Sequence, residues 1–185
     1  GSRSEVPHLL SVGAVVPRKG FDVLVAALAT LAELPWQLTI AGDLTRDPNE
    51  AARLHASISQ HQLIGRIAAL GAVSSQRLAA LYDDADLFVL ASHFEGYGMA
   101  YAEALSHGLP VVGTTAGAIP DTVTQEAGLL VAPGDADALA GALRRVIADA
   151  ELRRRLSNAA FAATQTLPTW RQSGAIFAAA LDKLA

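Results

Sequence analysis

Two glutamates, Glu95 and Glu103, flank a turn with two glycines in the middle of the chain. The apolar residues 87–91 before the turn predict a buried strand, and residues 100–107 after it predict a helix. Glycines let the backbone approach a ligand, and the free N–H groups of a first helical turn favour an anion. Carboxylates repel phosphate but accept hydrogen bonds from the hydroxyls of sugars and riboses. The pattern therefore indicates a ligand with both groups, such as a nucleotide sugar.

A second loop with the same character follows the first predicted strand and ends at Lys19 and Gly20. Gly13 opens this loop and permits close backbone approach. The chain has 14 basic residues, of which only Lys19 and Lys183 are lysines, so a lysine here stands out. Taken alone, Lys19 is more simply interpreted as a solvated cation at a helix start. Together with the glutamate-flanked turn in the same sheet, it predicts a compact positive charge for a diphosphate.

The segment from Ser92 through Glu95 and Glu103 to Ala104 resembles the donor-site motif of the family-4 retaining glycosyltransferases. The resemblance extends over residues 9–170, so it does not depend on one short match. It implies the GT-B fold, which has two Rossmann-like halves. This chain would be the C-terminal half, which binds the nucleotide sugar, and the N-terminal acceptor half would be its missing partner.

The resemblance also implies roles for individual residues. Glu95 would hold hydroxyls of the donor sugar, Glu103 would hold the ribose, and Lys19 would meet the leaving diphosphate. The implied catalytic residues are Lys19, Glu95 and Arg18, and the implied donor-binding residues are Gly13, Gly96, Tyr97, Gly98, Met99 and Glu103. These groups would replace the divalent metal of other glycosyltransferases. No metal or cofactor is therefore expected, and the donor would be UDP- or GDP-linked.

The chain departs from the family pattern at one important position, because Ala14 stands where family members have an arginine. Either Arg18 supplies the missing charge, or the site is degenerate and the chain is a non-catalytic Rossmann-like binding domain. Half of another GT-B enzyme, such as a nucleotide-sugar epimerase, is a further alternative, against which the spacing of the glutamates argues. A dehydrogenase is disfavoured because the loop from Gly13 to Gly20 does not fit Gly-x-Gly-x-x-Gly.

The resemblance places the nucleobase near residues 70–73, where family members often hold it through backbone groups around 66–67.

Composition restricts the class of protein. The chain has 185 residues, 51% of them hydrophobic and 17% charged, which is typical of a globular domain with an ample core. It has no cysteine, which excludes disulfides and thiolate metal sites. The net charge of −4, without a basic stripe, argues against a nucleic-acid partner. No apolar run is long enough to span a bilayer, so a cytoplasmic protein is expected, with the inner membrane surface an option through the absent half.

Short apolar runs alternate with helical patterns, which predicts a Rossmann-like three-layer α/β/α fold with a central parallel sheet of about six strands and C-terminal helices. The predicted strands are 9–12, 37–41, 67–70, 87–90, 111–112 and 129–131. The predicted helices are 21–33, 50–60, 75–83, 100–107, 135–148 with Asp135 as N-cap, 151–165 and 170–184. Residues 1–7, which begin with Gly1 and Ser2, are interpreted as an expression scar and linker, and residues 8–185 as a single domain. Alone, this half is expected to be inactive.

Overall fold

The computed structural model describes residues 6–164 and 170–182. Within these ranges, six strands pair in one parallel sheet, as the sequence predicts. The strands are His8–Val12 (β1), Gln37–Ala41 (β2), Ile67–Ala69 (β3), Leu87–Val89 (β4), Val111–Thr114 (β5) and Gly128–Val131 (β6). The α-helices are Phe21–Ala29 (α1), Pro48–Gln60 (α2), Ser75–Asp84 (α3), Met99–Ser106 (α4), Ile119–Thr122 (α5), Ala136–Ala148 (α6), Ala150–Thr164 (α7) and Trp170–Asp182 (α8). The Rossmann-like α/β fold is therefore confirmed.

The strand order across the sheet is β3-β2-β1-β4-β5-β6. The chain moves outward from β1 to β3, crosses back, and moves outward again from β4 to β6. The order thus reverses between β1 and β4, which are direct neighbours. In open parallel sheets, ligands bind outside the carboxyl ends of the strands at such a switch point. The loops that follow β1 and β4 are therefore the ones that must meet at a ligand site.

The strands are apolar because helices cover both faces of a parallel sheet. Leu9 and Leu10 are adjacent in β1 and both are fully buried, as are Val111 and Val112 in β5. Helix α1 packs against α2 and α6, and α4 packs against α7. The two layers of helices and the sheet between them form one continuous apolar core.

Side-chain caps define where several helices begin. The Asp47 carboxylate accepts a hydrogen bond from the Glu50 N–H at the start of α2. Asp135 does the same for the Ala138 N–H, which confirms it as the N-cap of α6. The prediction was wrong at the end of α1, which stops at Ala29 instead of residue 33, because the chain tightens into successive turns there.

Two short elements carry no signal of their own in the sequence. A 3₁₀ turn, Pro17–Lys19, precedes α1, and α5 has only four residues. The predicted scar at residues 1–7 lies outside the described residues except for Val6 and Pro7, and the final residues of the predicted last helix also lie outside them. In the part of the chain that is described, no helix has the length and apolar character needed to cross a membrane.

Candidate functional site

The loops after β1 and β4 meet at the switch point, and a lysine from one contacts a glutamate from the other. The Lys19 Nζ lies 2.5 Å from the Glu95 Oε1. The Ser92 hydroxyl donates a second hydrogen bond to the same oxygen at 2.7 Å. The Glu95 carboxylate is thus held by a cation from the loop after β1 and by a neutral donor from the loop after β4.

This ion pair is buried, which is unusual for both residue types. Lys19 is 8% exposed, Glu95 is 7% exposed and Ser92 is fully buried. Burial alone would raise the pKa of Glu95, but the hydrogen bonds from Lys19 and Ser92, with the charges of Lys19 and Arg18, outweigh it, so this pKa lies below its usual value. Glu95 is therefore a carboxylate at neutral pH, with its charge balanced inside the protein.

Arg18 lies at the outer edge of the same cluster. One of its guanidinium nitrogens, Nη1, lies 3.3 Å from the Glu95 Oε2 and 3.3 Å from the Phe94 carbonyl oxygen. Its side chain is 55% exposed, so it reaches the carboxylate from solvent. Arg18 therefore places a second positive charge next to the Glu95 carboxylate, beside Lys19.

Gly13 makes room for the lysine. A Cβ at this position would lie 3.0 Å from the Lys19 Cε and 3.3 Å from its Cδ, closer than ordinary contact. The Gly13 N–H donates to the Ala41 carbonyl, which ties the loop to the end of β2. The role of Gly13 in the structure is therefore to let the Lys19 side chain pass over the backbone.

A third loop, after β5, supports Glu95 from behind. The Ala118 N–H donates to the Glu95 carbonyl oxygen at 3.0 Å. Gly117 has a φ of +57°, and a Cβ there would lie 2.1 Å from the same carbonyl oxygen. Because only glycine fits this approach, the loop after β5 determines where the Glu95 backbone lies.

The turn that carries Glu95 exposes three large apolar side chains. Phe94, Tyr97 and Met99 are 60%, 59% and 61% exposed, respectively. Gly98, with a φ of +81°, is the N-cap residue of α4, and a Cβ added at Gly96 would meet nothing within 4 Å. The turn is thus open to solvent.

The second glutamate of the motif lies in a different environment. Glu103 is exposed, one turn into α4, and its Oε2 accepts a hydrogen bond from the Tyr82 hydroxyl at 3.1 Å. Tyr82 belongs to the last turn of α3 and is 2% exposed. The Glu103 side chain therefore remains accessible to solvent, while one of its carboxylate oxygens is held by a buried tyrosine.

A cavity of about 220 Å³ lies beside the cluster, at the carboxyl ends of β1, β2 and β3. Gly13 and Ala14 line it from the loop after β1, and Ala72 and Val73 line it from the loop after β3. The segment predicted to lie near the base thus reaches the same edge of the sheet as the ion pair. Ala14 adds a methyl group to this cavity instead of a charge.

The part of the base prediction that concerned Arg66 was wrong. Arg66 precedes β3 at the opposite, amino end of the strand, where its carbonyl oxygen accepts from the Leu38 N–H. Its guanidinium stacks on Trp36 at 3.7 Å and donates to the carbonyl of Ala32 at 2.8 Å. Arg66 is therefore a structural residue, remote from the switch point.

Sequence reasoning assigned no role to Ser92, Tyr82 or Phe94. Ser92 stands three residues before Glu95 within the motif, while Tyr82 is distant in sequence from the glutamate it contacts. No spacing rule predicts either contact. In the described ranges, no group of three or more histidine and carboxylate side chains is arranged to hold a metal ion.

The family model described as "Glycosyl transferases group 1" matches residues 1–163. The D-inositol 3-phosphate glycosyltransferase of Xylanimonas cellulosilytica is 35% identical over 160 residues, which cover 86% of this chain and 38% of that protein. The chain thus spans about two-fifths of the length of this relative.

Solved structures of similar proteins have the same fold as this chain. Sucrose-phosphate synthase from Thermosynechococcus elongatus superposes with a TM-score of 0.85 at 31% identity, covering 96% of this chain and 46% of that one. The Anabaena protein Alr3699/HepE, solved with UDP and glucose, gives 0.85 at 26% identity, covering 97% of this chain and 49% of the other. With the family model over most of its length, the chain belongs to the group 1 glycosyl transferases and has the Rossmann-like fold found in GT-B enzymes.

Proposed function

We propose that this chain is the donor-binding part of a retaining glycosyltransferase, which moves a hexose-type sugar from a nucleoside diphosphate to an acceptor hydroxyl. The observation that carries the proposal is the buried contact between Lys19 and Glu95 at the switch point. A structural ion pair gains little over apolar packing, because both charges must leave water. A site that binds a diphosphate and a polyol explains the buried pair, because the Lys19 ammonium then has the diphosphate as a partner and the Glu95 carboxylate has the sugar hydroxyls.

In this proposal, donor binding exchanges the partners of the ion pair. The Lys19 ammonium turns to the diphosphate, and the Glu95 carboxylate accepts hydrogen bonds from donor-sugar hydroxyls. As the glycosidic bond breaks, negative charge grows on the leaving diphosphate, and Lys19, Arg18 and the backbone amides of the turn stabilise it. Preorganised charges of this kind are usually the largest contribution to catalysis. Glu95 need not act as a nucleophile.

The nucleoside end of the donor lies, in this proposal, along the same edge of the sheet. The cavity beside Gly13 receives the base, and Glu103 accepts a hydrogen bond from the ribose. The solved Anabaena relative was crystallised with UDP and glucose, which supports a nucleoside diphosphate as the ligand class. We propose UDP or GDP as the carrier.

We further propose that transfer requires no metal and that it requires a second, acceptor-binding half. The matched relatives are more than twice as long as the segment they share with this chain, which supports a missing partner domain. This chain alone should therefore bind donor weakly and transfer no sugar. The assignment to the cytoplasm belongs to the same proposal.

The test is a calorimetric titration of the chain with UDP, GDP and ADP in the presence of a metal chelator. We expect saturable binding of one nucleotide and at least tenfold weaker binding by Lys19→Ala, because a charge-assisted hydrogen bond to phosphate is lost. Arg144→Ala is the matched control, since it also removes one positive charge, from a surface pair with Glu33. Circular dichroism checks that each variant is folded.

Each outcome has a distinct meaning. Binding that Lys19→Ala weakens and Arg144→Ala leaves unchanged supports a donor site and identifies its base. Binding that both variants weaken equally indicates non-specific attraction and contradicts the proposal. No binding by the wild-type chain or by a longer chain that includes the second half favours the non-catalytic alternative, in which Ala14 marks a disabled site.

A further inference from the structure

Tyr82 contacts the glutamate that the proposed function assigns to the ribose, although it lies on another helix. Its hydroxyl oxygen is 3.1 Å from the Glu103 Oε2 and 3.4 Å from the Ala100 carbonyl oxygen. The hydroxyl carries one proton, and the nearer, charged acceptor forms the stronger bond. Burial, followed by the charge of Glu103, raises the pKa of Tyr82, so the hydroxyl stays protonated and acts as a donor.

The ring of Tyr82 packs against two other aromatic rings. It stacks on His107 with ring centroids 5.0 Å apart and on Phe88 with centroids 6.3 Å apart. His107 is fixed in turn by Asp83, whose Oδ1 lies 2.7 Å from the His107 Nδ1. The Tyr82 hydroxyl is therefore presented from a rigid base, whereas Glu103 is an exposed side chain with several rotamers of its own.

We propose that Tyr82 is a positioning residue, which holds Glu103 in the rotamer that accepts hydrogen bonds from the ribose hydroxyls of the donor. This inference rests on the proposed function, because it takes Glu103 as the ribose contact. With one carboxylate oxygen held by Tyr82, the remaining acceptor positions of Glu103 face the ligand in a fixed direction. A site built to bind a hydroxyl strongly rejects an analogue that lacks it. Tyr82 thus contributes to discrimination between ribose and deoxyribose.

The test compares UDP with 2′,3′-dideoxy-UDP on the wild-type chain and on Tyr82→Phe, with the GDP or ADP pair used instead if that base is the one bound. Tyr82→Phe keeps the stacked ring and removes only the hydroxyl. We expect UDP affinity to fall about threefold to tenfold. We expect the dideoxy nucleotide to bind both proteins equally. In a Glu103→Ala background, Tyr82→Phe should have no further effect, since coupled residues are not additive.

Tyr101→Phe is the matched control, because it also removes a buried tyrosine hydroxyl, which donates to the Leu90 carbonyl at 2.7 Å. It should lower the melting temperature and leave the ratio of the two nucleotide affinities unchanged. If Tyr82→Phe weakens both nucleotides equally, or weakens neither, the inference is wrong while the proposed function stands. If the wild-type chain and the longer chain bind no nucleotide, the proposed function fails and the inference fails with it.

Discussion

The two glutamates of one motif, eight positions apart, have opposite environments. Glu95 is 7% exposed and holds Lys19, Arg18 and Ser92 around its carboxylate. Glu103 is exposed, and its carboxylate accepts a hydrogen bond from the Tyr82 hydroxyl. The same residue type thus serves once as the centre of a buried charged cluster and once as an accessible acceptor.

Because the two environments differ, the two glutamates should contribute unequally to stability and to ligand binding. A buried carboxylate surrounded by donors is already oriented before a ligand arrives, but its removal leaves a buried cation without a partner. An exposed carboxylate contributes little to folding and is free to act on a ligand. Changes at Glu95 should therefore affect folding and binding together, and changes at Glu103 should affect binding.

The largest expected effect follows from removing the buried carboxylate. Glu95→Ala should lower the free energy of unfolding by about 3 kcal/mol or more, because Lys19 stays buried without its counter-ion. Glu103→Ala should lower it by less than about 1 kcal/mol while weakening nucleotide binding. Urea denaturation of both variants measures the contrast. Equal losses of stability would show that the two environments do not differ in the way the structure describes.

The next largest effect is expected from the loop behind Glu95. Gly117→Ala places a Cβ against the Glu95 carbonyl oxygen at a positive φ, which should cost about 2 kcal/mol or more. Gly141→Ala in the exposed middle of α6 is the matched control, because a Cβ there meets nothing within 4 Å. That control should gain up to about 1 kcal/mol from better helix propensity. If Gly117→Ala leaves the free energy of unfolding unchanged, the loop after β5 can shift to accommodate the added Cβ at little cost.

A third, smaller effect should come from the neutral donor to Glu95. Ser92→Ala removes a buried hydrogen bond to a carboxylate and should cost about 1.5 kcal/mol. Ser106→Ala, which removes an exposed hydroxyl bonded to a carbonyl of its own helix, should change stability by less than about 0.5 kcal/mol. Thermal and urea unfolding of the pair give the difference. If Ser92→Ala matches its control, then Lys19 alone is sufficient to hold Glu95.

Lowering the pH should have the smallest effect on stability, because protonation removes the charge of Glu95 and leaves its side chain in place. The folded-state pKa of Glu95 lies below 4.5, so its stabilising contribution is complete above pH 4.5 and is lost as the pH falls through the lower folded value. Unfolding free energies between pH 7 and pH 3 should therefore decrease more steeply for the wild type than for Glu95→Gln. Glu33 and Asp43 also have lowered pKa values, but both residues are present in the two proteins, so they affect the two pH curves equally. Parallel curves for the two proteins would contradict a buried, charged Glu95.

Much of the fold could be predicted because its signals are local. The strands are mostly apolar, since a parallel sheet is covered on both faces, and β2 has the predicted bounds. Helix starts such as that of α6 follow from a capping side chain such as Asp135. The end of α1 and the short turn Pro17–Lys19 were missed, because one turn of helix has no period to detect.

The candidate site was predictable by residue type and not by contact. Glycines, a lysine and two glutamates near strand ends indicate a ligand with phosphate and hydroxyl groups, and the comparisons confirm the family. The error at Arg66 arose because a base contact implied by the resemblance was assigned to a residue that precedes β3, although ligands bind at the carboxyl ends of the strands. The roles of Gly117 and Tyr82 were missed because both act through contacts between distant segments.

The alternation of strands and helices, the helix caps and the chemistry available in each loop follow from the sequence alone, because these depend on neighbouring residues. Which of these groups meet depends on the assembled fold. Lys19 and Glu95 are 76 positions apart, and they touch because β1 and β4 are neighbours at the point where the strand order reverses. Tyr82 reaches Glu103 because α3 and α4 place them side by side. Burial and strand order are properties of the assembled sheet, and they bring charges from separate parts of the chain into one cluster.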